Sequence, residues 1–409
     1  MQRLIIKNFG PIEEVDLEIN DIMIFIGPQA SGKSTISKAV YFFKSLKDEL
    51  IRYIFSIFGK QNLGTPIDMF ATIMVAKFVA TWGQTQHLSN TYLKYEYKEG
   101  VSIEITINGI DSVQHFSEIF SQKLSEIINR VELFLSRHPS ESEKKIFLTE
   151  IEGLSNELFS DERDVIFIPA GRSLFATLSD QIKFIDLMKL DYGMVSFTKI
   201  INDSKHIFSQ SLTDLVRKKT QLTQAAEHII SKILKASYRF EDDEDRLYFS
   251  KTGYTKLTYA SSGQQEAMWI LLLIFLIIQE KKDFFVMIEE PEAHLYPETQ
   301  KDIIDLICLL SNLKNNQIII TTHSPYIMSS FNNLLYAYNV DKKGVPNVSD
   351  IVNRQLWINP DRLSAYFVDK GGIKSIIDEE FQMIKTEAID SASEIIDDVY
   401  SKLFDIDPE

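Results

Sequence analysis

The chain has 409 residues, 44% of them apolar, 11% aromatic and 25% charged, a composition that excludes disordered, fibrous and low-complexity classes. Forty-three basic residues stand against 58 acidic ones, a formal charge of −15. The surface as a whole therefore does not attract nucleic acid or anionic lipid, and any such contact has to come from a local patch. The single cysteine, Cys308, lies between Ile307 and Leu309, which excludes an internal disulfide and a cysteine zinc site and reads as a small buried hydrophobe.

The opening stretch 1–9 lacks the apolar core and small-residue cleavage site of a signal peptide and reads as a strand. Alternation at 4–6 and 15–19 predicts a hairpin, followed by a strand over 22–26 that runs into a glycine-rich turn. From Ser34 the pattern is helical to Phe58. Strict alternation at 92–97 and 101–107 around Lys98-Glu99-Gly100 predicts a second hairpin. Residues 117–159 read as helices broken near His138-Pro139, and 165–169 as a short buried strand. The stretch 174–237 is helical again, and 241–245 reads as a solvated acidic turn between strands 238–240 and 246–249. Twelve apolar residues at 267–278 are too few to span a bilayer and predict a buried helix. Strands at 284–288 and 317–321 flank a helix near 298–313. Strands alternating with helices imply an α/β fold with a largely parallel sheet.

Four segments carry chemistry. Gly27, Pro28, Gln29, Ala30, Ser31, Gly32, Lys33 and Ser34 match G-x-x-x-x-G-K-[ST] between a buried strand and a helix. Such a loop turns successive N–H groups and a helix N-terminus toward phosphate. Lys33 would reach the β- and γ-phosphates and the Ser34 hydroxyl a magnesium ion. The apolar strand 284–288 ends in Glu289-Glu290, at the sheet edge where ligands bind in parallel α/β folds. Glu289 is assigned to the metal and Glu290 to activation of water. The strand 317–320 leads to Thr321-Thr322-His323-Ser324-Pro325, so that His323 can sense the γ-phosphate. Ser261, Ser262, Gly263 and Gln264 open the apolar helix and form another anion site; as a cap, the serine would be closed by Gln265 or Glu266.

This ordered set, with Pro291-Glu292-Ala293-His294-Leu295-Tyr296-Pro297 after the two glutamates, resembles the ABC-type ATPase head, and within it the OLD/RecF/SMC-like branch. The stretches 5–12 and 167–173 are similar to that branch as well. The resemblance implies an ATPase lobe I with the phosphate loop at 1–45 and 163–175 and an inserted β-hairpin and helical region at 46–162. A helical arm-like insertion and hairpin follows at 176–249, then lobe II with signature, Glu-Glu strand and switch histidine at 250–370, and an acidic helical tail at 371–409. It also implies ATP and Mg²⁺ as cofactors, with Gly27 through Thr35 on the nucleotide and Asn8 and Phe9 at the base. Ser261, Ser262, Gly263 and Gln264 would contact ATP across a homodimer or higher homo-oligomer of heads, through a D-loop at 291–295. Ser262 stands where the signature has its first glycine, Tyr296 where histidine is common, and no Q-loop glutamine can be placed.

The 86 residues after His323 leave no TOPRIM nuclease pattern; Asp405-Ile406-Asp407 reads as solvated tail. From 378 to 409 eleven acids face only Lys385 and Lys402, so more than half of the net charge lies there, with Ile384, Ile389, Ile395, Ile396, Val399 and Leu403 at roughly helical spacing. The resemblance extends to ATPase components of bacterial anti-phage systems, of the Septu, PARIS or retron-associated type. It implies a nucleotide-dependent sensor or scaffold that controls a separately encoded effector; the single free cysteine, the missing signal and the acidic balance point to the cytoplasm, with no membrane partner. The alternative is a RecF-like repair ATPase that clamps DNA, for which Arg217-Lys218-Lys219 with Lys205 and Lys232 is the basic cluster on offer.

Overall fold

Runs of branched apolar residues form strands buried on both faces, and the computed structural model describes residues 2–57, 66–109, 111–177, 190–209, 220–280, 282–313 and 315–385, with Leu212 and Lys402. The chain opens with β1 (Arg3–Phe9), β2 (Ile12–Glu18) and β3 (Ile22–Ile26), and continues with β4 (Thr91–Lys98), β5 (Val101–Asn108), β6 (Asp111–Phe116) and β7 (Asp164–Ile168). A small meander follows, β8 (Ser237–Glu241), β9 (Glu244–Tyr248) and β10 (Tyr254–Lys256), then β11 (Phe284–Glu289), β12 (Gln317–Thr322), β13 (Leu363–Asp369) and β14 (Gly372–Ser375).

The central sheet has the order β14-β13-β3-β12-β11-β7, parallel throughout except for the β13–β14 hairpin. Register aligns Ile168, Ile288, Ile320, Ile24 and Ala365 in one row across five strands. Alternation then splits the side chains. Ile22, Ile24 and Ile26 face a core shared with the helices Tyr192–Lys205, Gln221–Leu234, Ser262–Gln279, Pro297–Ser311 and Pro325–Lys342. Met23 and Phe25 face a second core built with the helices Lys33–Lys44, Leu46–Ile57, Pro66–Trp82, Glu118–Leu135 and Glu141–Phe159. Among the described residues Ser262–Gln279 is the one helix long and apolar enough to cross a membrane, and most of it is buried in the fold.

Several boundaries differ from those read in the sequence. The hairpin of 92–107 is not a separate insertion: β4 pairs with β1, giving a five-stranded antiparallel sheet β2-β1-β4-β5-β6. Residues of 46–162 share one core with lobe I, and the buried pair Lys44–Asp161 at 2.5 Å ties them to it. The helical tail expected from 371 begins as strand, in β14 and the short pair Ile377–Asp378 and Met383–Ile384, because Gly371 and Gly372 turn the chain back along β13. Residues 386–401 and 403–409, with most of the acidic tail and Asp405-Ile406-Asp407, lie outside the described residues. So do Arg217, Lys218 and Lys219. Asp245, expected in a solvated turn, is buried and paired with Lys205 at 2.8 Å, which leaves Asp242-Asp243 as the turn. Lys232 pairs with Asp302 at 2.7 Å while its side chain stays exposed, so of the two described lysines of the basic cluster only Lys205 is withdrawn from the surface.

Phe9 is a core residue. It is 4% exposed, with its ring 5.8 Å from Phe78 and 5.2 Å from Trp82, and its aromatic face is therefore closed to a nucleotide base. Phe9→Ala is expected to cost about 3–5 kcal/mol of stability, measured by urea unfolding, and to leave the KM for ATP of the folded protein unchanged. A raised KM with unaltered stability would return Phe9 to the base site.

Candidate active site

β3, β12 and β11 end side by side, and each delivers one part of the site from its carboxyl end. After β3, Gly27 lies so close to the Val368 carbonyl that a Cβ would come within 2.2 Å of it. Gly32 has φ +107, a left-handed setting, and a Cβ there would meet Ile12 Cδ1 at 2.3 Å. Gly32 is also the cap of the helix Lys33–Lys44, which has no side-chain cap and no acid in its first turn. The helix N–H groups are thus open to an anion. The Ser31 hydroxyl is buried without a partner, as suits an atom that donates to phosphate. Pro28, Gln29 and Ala30 are exposed at the loop's crest, Ala30 with φ +60.

Lys33 is buried. Its Nζ donates to the Gly27 and Pro28 carbonyls at 2.9 and 2.7 Å and stands 3.5 Å from His323 Nδ1. Burial lowers its pKa, opposed by the charges of Glu290 and Glu292. His323 Nε2 is in turn 3.3 Å from Glu290 Oε1, with both side chains more than a third exposed, 37% and 39%. Lys33, His323 and Glu290 therefore form one polar chain from the phosphate loop to the acid that can take a proton from water.

Glu289 ends β11 and is buried. The Ala170 N–H donates to its Oε2 at 3.4 Å, whereas Oε1 has no partner. Burial raises its pKa, partly countered by the nearby charge of Lys38 and by the Ser34 hydroxyl within hydrogen-bonding reach. An orphaned carboxylate oxygen beside a serine hydroxyl and a phosphate cradle fits Mg²⁺, which takes one or two protein oxygens and completes its shell from phosphate and water. Among the described residues no group of three or more His, Cys, Asp or Glu side chains is placed to hold a metal ion.

Glu290 has φ +43, a setting that costs a non-glycine residue about 1–2 kcal/mol. Thr321 O accepts its N–H at 2.9 Å and Arg172 Nη2 donates to its carbonyl at 2.9 Å, so the backbone is fixed from both sides. Two residues on, Glu292 is buried: Thr322 Oγ1 and the His323 N–H donate to its Oε1 at 2.6 and 2.9 Å, and Oε2 is unpartnered. The sequence puts Glu292 in the D-loop stretch and Arg172 in the stretch 167–173 but gives neither side chain a role of its own. Their signals, an acid just past the base and an arginine in Pro169-Ala170-Gly171-Arg172, become readable only once strand ends are known to converge.

The remaining expected residues are placed as follows. Ser261 and Ser262 are exposed at the start of the helix Ser262–Gln279. Gln264, not Gln265 or Glu266, closes the capping box, and its amide donates to Leu234 O at 2.7 Å. Its side chain is thus committed within its own head. Asn8, at φ +51, donates to Asn90 O at 3.1 Å, beside a surface cavity of about 610 Å³ that includes Gly10, Pro11 and His87. Thr35 follows Ser34 in the first helical turn, partly exposed.

A family described as AAA ATPase domain matches residues 1–166 and 155–328, most of the chain and every element of this site. The chain belongs to that family, which is a family of ATPases. It is 23% identical over 345 residues to the OLD nuclease of Thermus scotoductus, covering 80% of this chain and 59% of that protein. It is 25% identical over 93 residues to the lipoprotein-releasing system ATP-binding protein LolD of Neorickettsia sennetsu, 23% of this chain and 39% of that one. The chain thus spans less than two thirds of either relative. Among solved structures, the SMC head domain from Thermotoga maritima aligns with a TM-score of 0.38 at 13% identity, covering 92% of this chain and 98% of that one. An SMC head bound to the C-winged helix domain of ScpA aligns with a TM-score of 0.42 at 14% identity, covering 91% and 96%.

Burial holds the Glu292 carboxyl above its ordinary pKa against the hydrogen bonds from Thr322 and His323. A carboxyl raised in the folded state contributes stability below its unfolded pKa and loses it as pH rises through the folded value. Glu292→Gln is therefore expected to lose less stability than the parent between pH 5 and pH 8, read from urea midpoints. An equal or steeper loss would contradict the burial argument.

Proposed function

We propose that the chain is an ATP-hydrolysing head that pairs with a second copy and uses the state of its nucleotide to control another protein. The observation that carries the reading is the contiguous set Lys33, His323 and Glu290 beside Ser34 and Glu289, drawn from three adjacent strand ends. Lys33 and the helix N-terminus neutralise the β- and γ-phosphates. Ser34 and Glu289 would hold Mg²⁺, which supplies charge neutralisation across the phosphate oxygens. Glu290 orients the attacking water and accepts its proton, and His323, touching both Lys33 and Glu290, reports whether the γ-phosphate is present. Ser261, Ser262 and Gly263 are the surface offered to the nucleotide of the second head.

The output assigned to this cycle is control of a separate nuclease or toxin in bacterial anti-phage defence, in the cytoplasm. Its support is the resemblance of the ordered motifs and the likeness to a protein named OLD nuclease that extends beyond the shared 345 residues. Clamping of DNA finds less support at Lys205, which is buried against Asp245.

Glu290→Gln is expected to bind ATP normally, to lose turnover by at least about 100-fold, and to accumulate as an ATP-bound dimer seen by light scattering. Ordinary turnover in that variant would refute the base, and a monomer at saturating ATP would refute the paired head. Turnover stimulated by DNA in a salt-sensitive manner would favour the repair reading; no response, with co-purification of a separate effector, would favour defence.

A further inference from the structure

Arg172 is among the largest side chains wholly withdrawn from solvent, and a buried guanidinium persists only where its donors are satisfied. Its partners include both glutamates at the end of β11. Nη1 donates to the Pro169 and Glu289 carbonyls, both at 2.7 Å, and Nη2 to the Glu290 carbonyl at 2.9 Å. Nε donates to the Glu266 carbonyl at 3.0 Å, and the Glu266 carboxylate lies 3.3 Å from Nη2. Glu266 binds back: its Oε1 accepts the Arg172 N–H at 2.9 Å and its Oε2 the Ser173 N–H at 2.7 Å.

Glu266 belongs to the helix Ser262–Gln279, about one turn from Ser261 and Ser262. A second contact joins the same two regions. A Cβ on Gly263 would meet the His294 carbonyl at 3.0 Å, so the helix start rests on the loop that leaves Glu290, whose carbonyl also accepts the Ala293 N–H at 3.1 Å. The helix start therefore cannot shift without moving the guanidinium fork that holds both glutamate carbonyls. Ala170, in the loop that Glu266 clasps, donates to the Glu289 side chain, which carries the same constraint to the metal side.

We propose that Arg172, locked to Glu266, is a positioning residue that makes the setting of Glu290 depend on the seat of Ser261, Ser262 and Gly263. Contact of these residues with a second head's nucleotide would then set the base for hydrolysis. The inference rests on the reading of Glu290 as the base and of the exposed helix start as the contact between heads. Lysine keeps the charge of Arg172 but, as a single-point donor, loses the fork.

The test uses the full chain carrying Arg172→Lys, with steady-state turnover, ATP affinity and ATP-dependent self-association measured on one preparation. Turnover is expected to fall tenfold or more, with affinity and self-association within threefold of the parent. In combination with Glu290→Gln the loss should not exceed that of Glu290→Gln alone, because Arg172 acts through Glu290. Parental turnover, losses that multiply in the double variant, or a fall in affinity that matches the fall in turnover overturns the proposal. Should Arg172→Lys not fold, Glu266→Gln keeps the side-chain shape, weakens the pair and is held to the same readouts. Full turnover by Glu290→Gln overturns the reading beneath it, whereas slow Glu290→Gln beside undiminished Arg172→Lys and Glu266→Gln overturns the proposal alone.

Discussion

The parallel register of β3, β12 and β11 is the constraint on which the rest depends. Ile24, Ile320 and Ile288 share a row, so that two to three residues further on the chain yields Gly27, His323 and Glu290 at one edge. A slip of one residue in any of these strands would turn its apolar set to the wrong core and withdraw its functional residue from the edge. The two cores that clamp the sheet, with Ile24 on one side and Phe25 on the other, thereby also align the site. Packing energy, large and non-directional, is converted here into placement of a few polar groups.

Those polar groups are held in an unusual balance. Glu289 and Glu292 are buried with one oxygen each unpartnered, a state that costs free energy and that a cation or a protonated partner would relieve. Lys33, Arg172 and Lys38 are the nearby positive charges. A site with more acid than it can satisfy is suited to gather Mg²⁺ together with a phosphate chain, since the metal neutralises both. Glu290 differs in being more than a third exposed, which suits an acid that must meet water.

Much of this was legible in the sequence because the strands leading to Lys33, Glu290 and His323 are unbroken apolar runs and the residues after them are short motifs with a mechanism. The signature helix was equally plain from the run 267–278. Phe9 misled, because a phenylalanine beside a turn at Asn8 reads the same whether it stacks on a base or on Phe78 and Trp82. Residues 371–384 misled because the helical spacing read from Ile384 to Leu403 was carried back to 371, while the pairing of β14 with β13 is a tertiary fact. The partnership of Arg172 with Glu266 spans 94 positions, and no local pattern announces a contact at that range. Likewise β4 joins β1 across the helices Lys33–Lys44, Leu46–Ile57 and Pro66–Trp82, which hides the continuity of the first lobe.

The central claim is that three adjacent strand ends serve one ATP. The most direct measurement is a structure of the Glu290→Gln chain with ATP and Mg²⁺. The nucleotide is expected in the loop Gly27 to Thr35, with the γ-phosphate contacted by Lys33 and His323 and the metal held by Ser34 and Glu289. ATP lodged elsewhere, or a metal held by Glu292 with Glu289 unengaged, would contradict it.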